Sequence, residues 1–363
     1  MSANPAADSP TVETVAIRLP NWVGDAVMAV PALRELRRIF CGSRITLLTR
    51  PWVAGLFEGE EFADDLFILA EDAGVVNRSI GFLRDVRLMR RRRFDLAILL
   101  QNAYGAALLA RAARVRKTAG YPTDRRGLLL DEAIPFEDDY KSLHQVRYYL
   151  NIASQLERRM IGESRVQIDA ARPTLRVTEP LKEEARLLLE GVGVDVSRPI
   201  VALNPGATNS RAKRWLAERF AETADRFAER DGFQVIIVGA AGDEEVSRAV
   251  AARMRARVAV LAGKTDIAQL KAILACCALV VSNDTGAAHV SAALGVPTVV
   301  IFGPTEHHAT RPLSENVGLL RHDVECSPCM LRDCPIDHRC MTGVGVNEVY
   351  DAARILLEQA LAR

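Results

Sequence analysis

The sequence has no long hydrophobic run, which argues against a membrane-spanning helix. Such a helix needs about 20 consecutive apolar residues, whereas the longest apolar run, AILACCALVV, covers residues 272–281. Charge of one sign is not in excess either, since 47 lysines and arginines face 46 aspartates and glutamates. A chain built to coat nucleic acid would be strongly basic. Residues 1–13 lack the basic start and apolar centre of a secretion signal, so we expect a disordered tail there and a cytoplasmic protein.

Three nucleotide-binding signatures are also missing. No G-x-G-x-x-G follows the first predicted strand, which argues against a dehydrogenase. The G-x-x-x-x-G-K-[ST] spacing of a phosphate-binding loop is absent. No Asp-x-Asp pair occurs, although a cation that bridges to a diphosphate would normally need such carboxylates. We therefore predict that the chemistry needs no metal cofactor, and that cationic side chains and helix ends bind any phosphate.

What the chain does contain is an alternation of short apolar strands with helices of about 10 to 15 residues, which predicts an α/β fold with parallel sheets. The alternation restarts after a stretch that contains Pro173. We therefore predict two Rossmann-like domains, 14–175 and 176–345, whose sheets face a central cleft. A last amphipathic helix, within 346–363, is expected to pack back across the domain junction.

The most informative stretch is ALVVSNDTGAAHVSAALGVPTVVIFGPT, residues 278–305. It predicts a strand, a tight turn, a helix of small residues and a second, parallel strand. Asp284, Thr285 and Gly286 then follow the carboxyl end of a strand, where open parallel sheets bind ligands and helix N–H groups face anions. His289 lies one turn further along the same helix face. The structural alternative is a helix cap at Asp284 and a packed histidine.

A second candidate site follows the first predicted strand, VAIRLP, which leads directly into NWVGD and a helix. This order places Asp25 at the carboxyl edge of the first sheet, facing the cleft. A carboxylate there can accept a proton from a substrate hydroxyl within hydrogen-bond reach. A helix N-cap is an equally good interpretation of an aspartate at this position.

The third candidate site is LNPGATNSRAKRW, residues 203–215. A strand ends in a Gly-containing loop with hydroxyl side chains, and Lys213 and Arg214 precede the next helix. Such a loop is suited to a diphosphate, because backbone N–H groups and a lysine can surround the anion. An ordinary solvated loop with a basic pair is the alternative.

The segments LPNWVGDAVMAVPAL, LNPGA with AKRW, and SNDTGAAHVSAALGVPTVVIFGPT together resemble glycosyltransferase family 9, the heptosyltransferases of bacterial lipopolysaccharide. The resemblance implies a GT-B-like fold, with an acceptor-binding first domain and a second domain that binds a nucleotide sugar. LPNWVGD, AKRW and CSPCMLRDCPIDHRCM are most similar to the members that add the second heptose. The implied reaction transfers L-glycero-D-manno-heptose from ADP-heptose to the first heptose of the inner core and inverts the configuration at the anomeric carbon.

The resemblance also implies roles for particular residues. Asp25 matches the proposed catalytic base of the family, and Lys213 matches its phosphate-binding lysine. The donor site that the resemblance implies consists of Thr208, Lys213, Asp284, Thr285, Gly286 and His289.

A basic helix predicted over 79–93 is a candidate contact for the acceptor. The implied acceptor, a heptosyl-Kdo2-lipid A, carries phosphates and carboxylates at a membrane surface, and a basic patch would attract it. Arg90, Arg91 and Arg93 are therefore candidate acceptor ligands, and a peripheral location at the inner face of the cytoplasmic membrane follows. Arg125 and Arg126 are further candidates. A solvated helix face is the alternative.

Four cysteines near the carboxyl end form the pattern C-x2-C-x4-C-x5-C at Cys326, Cys329, Cys334 and Cys340. In a reducing cytosol, clustered thiols favour structural zinc over disulfides, and His338 could replace one ligand. The alternative is a metal-free thiol cluster. Either way we expect the cluster to be structural rather than catalytic.

Two other functions remain open from the sequence. Another family 9 transferase, such as heptosyltransferase I or III or an enzyme with a different nucleotide sugar, would use the same segments. A sugar-nucleotide hydrolase or epimerase, or a zinc-stabilised binding module, would share the sheets. Turnover of the donor without any acceptor would identify a hydrolase or epimerase.

Overall fold

The computed structural model of the protein describes residues 12–70, 75–137, 140, 142–208 and 210–362. Most of the tail expected over 1–13 therefore lies outside the described residues. No helix in the described ranges is long and apolar enough to cross a membrane.

Strands and helices alternate along the chain, as the sequence pattern predicts. The strands are β1 (Thr14–Arg18), β2 (Arg44–Thr49), β3 (Asp65–Ile68), β4 (Leu96–Leu99), β5 (Lys117–Gly120), β6 (Glu132–Ala133), β7 (Ile200–Asn204), β8 (Gln234–Ile237), β9 (Val258–Val260), β10 (Leu279–Asn283), β11 (Thr298–Phe302) and β12 (Val317–Arg321). The helices are α1 (Val23–Met28), α2 (Val30–Ile39), α3 (Pro51–Ala54), α4 (Val75–Arg92), α5 (Tyr104–Ala112), α6 (Gln145–Ile161), α7 (Glu179–Gly191), α8 (Ala217–Arg230), α9 (Glu244–Ala251), α10 (Ile267–Ala275), α11 (Gly286–Ala293), α12 (His307–Thr310), α13 (Arg339–Thr342) and α14 (Val346–Leu361).

The strands form two six-stranded sheets with the same topology. The order is β3-β2-β1-β4-β5-β6 in the first lobe and β12-β11-β10-β7-β8-β9 in the second. The pairings are parallel throughout both sheets. Each sheet therefore reverses its winding once, between β1 and β4 or between β7 and β10, and such switch points are where open α/β sheets bind ligands.

The central strands are buried from end to end, which explains their continuous apolar sequences. β4, β7, β10 and β11 have no exposed residue. Helices cover both faces of a parallel sheet, so that its inner strands are typically rich in valine, isoleucine and leucine. The α/β fold with parallel sheets is confirmed.

The two lobes touch along a contact that combines apolar and polar groups. One apolar cluster includes Ile17 of β1 and Val290 of α11, so that the packing continues from one lobe to the other. Lys271 of α10 is fully buried. Its ammonium donates to the carbonyl oxygens of Leu56 at 3.0 Å and Glu58 at 2.7 Å, both in the first lobe.

Two details differ from the sequence analysis. Helix α14 packs on α8, β10, β11 and β12 of the second lobe, and not across the junction as expected, because its buried side chains join the apolar cluster beneath that sheet. Strand β12 was missed, because all five of its residues are only half-buried and VGLLR lacks a clear strand pattern.

Candidate active site

The switch points of the two lobes meet where the first turns of α1 and α11 pack against each other. A Cβ atom on Gly24 would lie 3.0 Å from Cδ2 of His289, and one on Gly286 would lie 2.8 Å from Cβ of Val23. Both positions therefore need glycine, since a side chain would separate the helices. This close approach brings the segment after β1 next to the segment after β10.

Asp25 lies in the first turn of α1, two residues after the helix begins, while Trp22 occupies the N-cap position. The pKa of Asp25 is raised to about 6. Burial is the largest cause of this rise, the nearby Lys213 ammonium opposes it, and the Asp284 carboxylate adds to it. A carboxylate with a pKa near 6 is mostly ionised at neutral pH and is more basic than an ordinary aspartate. These properties suit a general base, and the simple N-cap interpretation does not describe Asp25.

Lys213 and Asp284 form an ion pair on the second lobe, opposite Asp25. Nζ of Lys213 lies 2.7 Å from Oδ2 of Asp284, and the hydroxyl of Thr305 donates to the same oxygen at 2.7 Å. The Asp284 side chain is 6% exposed. Because its carboxylate binds these two side chains and the N-cap of α11 is Thr285, Asp284 does not act as a helix cap.

Two buried asparagines fix the loop that carries Lys213. Nδ2 of Asn204 donates to Oγ1 of Thr285 at 2.6 Å. Asn283 accepts from the backbone N–H of Trp215 at 3.0 Å and donates to the carbonyl oxygens of Pro205 and Gly206. The sequence analysis did not assign them a role. Each asparagine is a polar residue at the end of an otherwise largely apolar, buried strand, and this pattern in the sequence could have indicated a structural role for both.

His289 lies between the lobes, beside Gly24. Burial lowers its pKa to about 4, so that the imidazole is neutral at pH 7 and can only offer hydrogen bonds or packing to a ligand. Thr208 is exposed on the loop after β7, and the hydrogen bonds of the Lys213–Asp284 pair do not include it. Of the predicted donor residues, the structure brings together Lys213 with Asp284, Thr285, Gly286 and His289.

The candidate acceptor arginines lie far from this cleft. Helix α4 follows β3 and returns to the start of β4, so that its last turn lies at the amino edge of the first sheet. The backbone carbonyl of Arg93 accepts from the hydroxyl of Thr14, at the start of β1. Arg90 bonds the carbonyl of Ala112. Asp25 lies at the opposite edge of this sheet. The assignment of Arg90, Arg91 and Arg93 to the anionic groups of the acceptor therefore stays a prediction, and it concerns groups remote from the reacting hydroxyl.

The cysteine-rich segment, 326–340, forms hydrogen bonds with the loop that carries Lys213, called here the donor loop. The N–H of Ala212 donates to the carbonyl of Arg332 at 2.9 Å, and Nε2 of His338 donates to the carbonyl of Ala212 at 2.7 Å. Arg211 also pairs with Asp333 at 2.7 Å. The residue before Lys213 is thus held from both sides by this segment.

The four cysteines of this segment are free thiols. Burial, and then the proximity of the other three thiols, raises the pKa of Cys340. Where the structure describes the chain, the group of ligating side chains within 4.8 Å of one another is Glu306, His307 and His308, and the cysteines do not form such a group. Zinc at the four cysteines stays a prediction.

A second polar pair lies beside the donor loop. The carboxylate of Asp243 lies directly over Gly206, and Arg214 is 3.6 Å from its Oδ1. Both this oxygen and Nε of Arg214 are buried without a hydrogen-bond partner. Such atoms are costly unless a ligand or water satisfies them, so that the pair extends the candidate donor site along the edge of β7 and β8. The sequence analysis did not assign Asp243 a role.

Asp25 on one Rossmann-like lobe thus faces the Lys213–Asp284 pair on the other lobe, where the switch points of the two sheets meet. The protein-family model described as "Glycosyltransferase family 9 (heptosyltransferase)" matches residues 83–339 of this chain. The chain therefore belongs to glycosyltransferase family 9 and is a glycosyltransferase.

The relatives that the chain matches agree with this family. Lipooligosaccharide heptosyltransferase 2 of Campylobacter jejuni is 28% identical over 348 residues, which cover 95% of this chain and 98% of that protein. Lipopolysaccharide heptosyltransferase 2 of Salmonella typhimurium is 28% identical over 83% of this chain and 86% of its own. The solved structure of Escherichia coli ADP-heptose lps heptosyltransferase II shares the fold, with a TM-score of 0.80 and 24% identity over 96% of this chain and 99% of that one.

Proposed function

We propose that the protein transfers L-glycero-D-manno-heptose, with inversion, from ADP-heptose to the first heptose of the lipopolysaccharide inner core. The observation that carries the proposal is the position of Asp25, which lies within electrostatic reach of the Lys213–Asp284 pair across the cleft. The relatives named heptosyltransferase 2 support the choice of donor and acceptor.

The proposed reaction is a single displacement. The acceptor hydroxyl oxygen attacks the anomeric carbon of the donor, while the carboxylate of Asp25 takes the hydroxyl proton. The bond from the anomeric carbon to the diphosphate oxygen breaks, and its electron pair leaves with ADP. Because attack occurs opposite the departing diphosphate, the configuration at the anomeric carbon inverts.

Charge on the departing ADP needs stabilisation more than it needs a proton. Lys213 supplies a cation, and the N–H groups at the start of α11, at Thr285 and Gly286, supply donors with the favourable end of the helix dipole. When the diphosphate binds Lys213, Asp284 is released to accept hydrogen bonds from sugar hydroxyls. Neutral His289 and the hydroxyl of Thr208 complete the proposed donor site.

The proposed reaction uses only side chains and backbone donors of the protein. A structural zinc at Cys326, Cys329, Cys334 and Cys340 is a separate proposal, which the C-x2-C-x4-C-x5-C spacing supports. We expect about one zinc per chain in purified protein by metal analysis, and loss of that zinc when Cys329 and Cys334 are changed to serine. A fully folded, active preparation without bound metal would contradict it.

The proposed acceptor is anchored in a membrane by its lipid, so the protein would work at the inner face of the cytoplasmic membrane. Exposed Arg125, beside the cleft edge of the first lobe, is better placed than the α4 arginines to attract the anionic groups of that acceptor.

The test is ADP release from ADP-heptose, with and without a mono-heptosylated acceptor, for the wild type and Asp25→Asn. We expect release that depends on the acceptor and collapses in the variant. Release without acceptor would identify a hydrolase instead. Tight donor binding without transfer to any acceptor would retain the donor site and overturn the acceptor assignment.

A further inference from the structure

Two half-exposed tryptophans lie beside the general base. Trp22 is 59% exposed and Trp52 is 49% exposed. Trp22 follows β1 and Trp52 follows β2, so that both lie at the carboxyl edge of the first sheet, where Asp25 lies. Indole rings contribute large buried areas to protein cores and interfaces, and two that are left half in solvent at a ligand-binding edge indicate a contact surface.

Hydrogen bonds fix the backbone at Asn21 and Trp22. The indole N–H of Trp52 donates to the carbonyl of Asn21 at 2.8 Å. The guanidinium of buried Arg18 donates to the side chain of the same asparagine at 2.6 Å, and the carbonyl of Trp22 accepts the first helical N–H bond of α1, from Ala26. A side chain on a fixed backbone loses less conformational entropy when a ligand binds it.

The spacing places Trp22 next to the reacting atoms. Trp22 is the N-cap residue of α1 and Asp25 is its third helical residue, a position from which a side chain can reach back to the N-cap residue. The hydroxyl that gives its proton to Asp25 must lie within about 3 Å of that carboxylate. The ring that carries this hydroxyl therefore lies beside Trp22, whereas the groups proposed for the donor belong to the second lobe.

We infer that Trp22, with Trp52 at its side, is a stacking platform for the acceptor sugar ring and determines acceptor affinity. The inference rests on the proposed function, because it assumes that the group beside Asp25 is a sugar. One face of a pyranose carries C–H groups whose hydrogens are slightly positive, and the face of an indole is electron-rich. The hydroxyl groups at the ring edge remain free, so that one of them can point to Asp25.

The experiment compares Trp22→Phe, Trp22→Leu and Trp22→Ala, with Leu128→Ala as control. Leu128 is 95% exposed in the same lobe and has no part in either site. For Trp22→Ala we expect the acceptor KM to rise about tenfold, the loss typical of one well-packed aromatic contact. The donor KM and kcat should stay within about twofold of the wild type, and Trp22→Phe should retain most of the affinity. Trp22→Leu should behave like Trp22→Ala, because leucine has no aromatic face.

Binding of the deacylated heptosyl-Kdo2 oligosaccharide, measured by calorimetry with ADP present, gives a readout without turnover and should follow the same order. An acceptor KM of Trp22→Ala within about twofold of the wild type, a parallel rise in donor KM, or equal affinity of the Leu and Phe variants overturns the platform. If the wild type itself neither binds nor uses this acceptor, the proposed function fails and the platform falls with it. If the wild type transfers heptose to this acceptor and the Trp22 variants do so with an unchanged acceptor KM, the platform alone fails.

Discussion

Asp25 meets two opposing demands at the scale of the single residue. Its position between the lobes removes water from the carboxylate, and this burial raises its pKa to about 6. The same shift makes the carboxylate a stronger base, because it binds a proton more tightly than a solvated aspartate does. Lys213 limits the shift, so that the group is still ionised at neutral pH.

The pKa of Asp25 predicts the acid limb of the pH–rate profile. The base must be ionised, so kcat/KM should fall as the pH drops through about 6. Asp25→Asn should lower kcat about 10²- to 10⁴-fold and remove this limb from any residual rate. Steady-state rates between pH 5 and pH 8 provide the measurement. An unchanged acid limb in Asp25→Asn would assign the limb to another group.

The same residue should reduce the stability of the fold. The pKa of Asp25 is about 6 in the folded protein against an ordinary value of 3.8 for an aspartate, so the folded state binds the proton more tightly. Stability therefore falls as the pH rises from about 4 to about 6, and the loss remains above that range. Asp25→Asn should raise the free energy of unfolding by about 1–3 kcal/mol at pH 8.

Urea unfolding at pH 8 and pH 4 checks this prediction. The difference between variant and wild type should be large at pH 8 and small at pH 4, where the wild-type carboxyl group is protonated in the folded state. Equal differences at both pH values would show that the effect comes from packing and not from the carboxylate charge.

At the scale of elements, the 326–340 segment acts on the donor site through one backbone unit. Arg332 and His338 bond the N–H and the carbonyl of Ala212, and Lys213 follows directly. The hydroxyl of Ser327 also donates to the carbonyl of Gly303 at 2.7 Å, two residues before the Thr305 that binds Asp284. Both loops of the Lys213–Asp284 pair are thus fastened to a single segment without regular structure over most of its length.

His338→Asn should loosen this fastening. His338 has a left-handed backbone, with φ of 57°, which asparagine tolerates, while the shorter side chain no longer reaches Ala212. We expect the donor KM to rise several-fold, about the loss of one hydrogen bond of 0.5–1.5 kcal/mol, with the acceptor KM unchanged. Exposed His308, changed to asparagine in the same way, is the matched control. A rise in acceptor KM alone would contradict the prediction.

At the scale of the whole molecule, the lobes are joined by the polar contact of Lys271 beside the apolar packing. Of the two carbonyl groups that accept from Lys271, that of Leu56 lies within the turn Gly55–Phe57 and that of Glu58 lies just beyond it. Burial lowers the pKa of Lys271, yet its ammonium satisfies both oxygens. This bond sets the position of α10 against the first lobe, away from the reacting groups.

Lys271→Met should therefore weaken the molecule without touching the chemistry. Methionine keeps most of the side-chain volume but leaves the buried carbonyl of Leu56 and the partly buried carbonyl of Glu58 without their donor, at a cost of about 1–3 kcal/mol in unfolding free energy. Urea unfolding measures it, with Lys264→Met, at an exposed lysine just before α10, as the control. A variant as stable as that control would show that water replaces the ammonium.

How far the sequence predicts this molecule depends on whether the signal is local. The strands other than β12, the switch points and the residues after β1 and β10 follow from local patterns. The roles of Asn283 and His338 do not, because each acts on a loop about 70 to 130 residues away in the chain. The position of the α4 arginines depends on topology and not on a local pattern, because a helix between two parallel strands returns to the amino edge of the sheet.

The shared oxygen of Asp284 has a consequence for turnover. Any diphosphate that reaches Lys213 must displace a carboxylate already 2.7 Å from its ammonium. In the proposed reaction, Asp284 therefore acts as a tethered competitor of the nucleotide product, because it is present at high local concentration and needs no diffusion to return. This competition would lower the affinity for ADP, which meets the same carboxylate as it leaves. The proposed reaction therefore predicts rapid recycling of the empty enzyme rather than tight retention of the nucleotide.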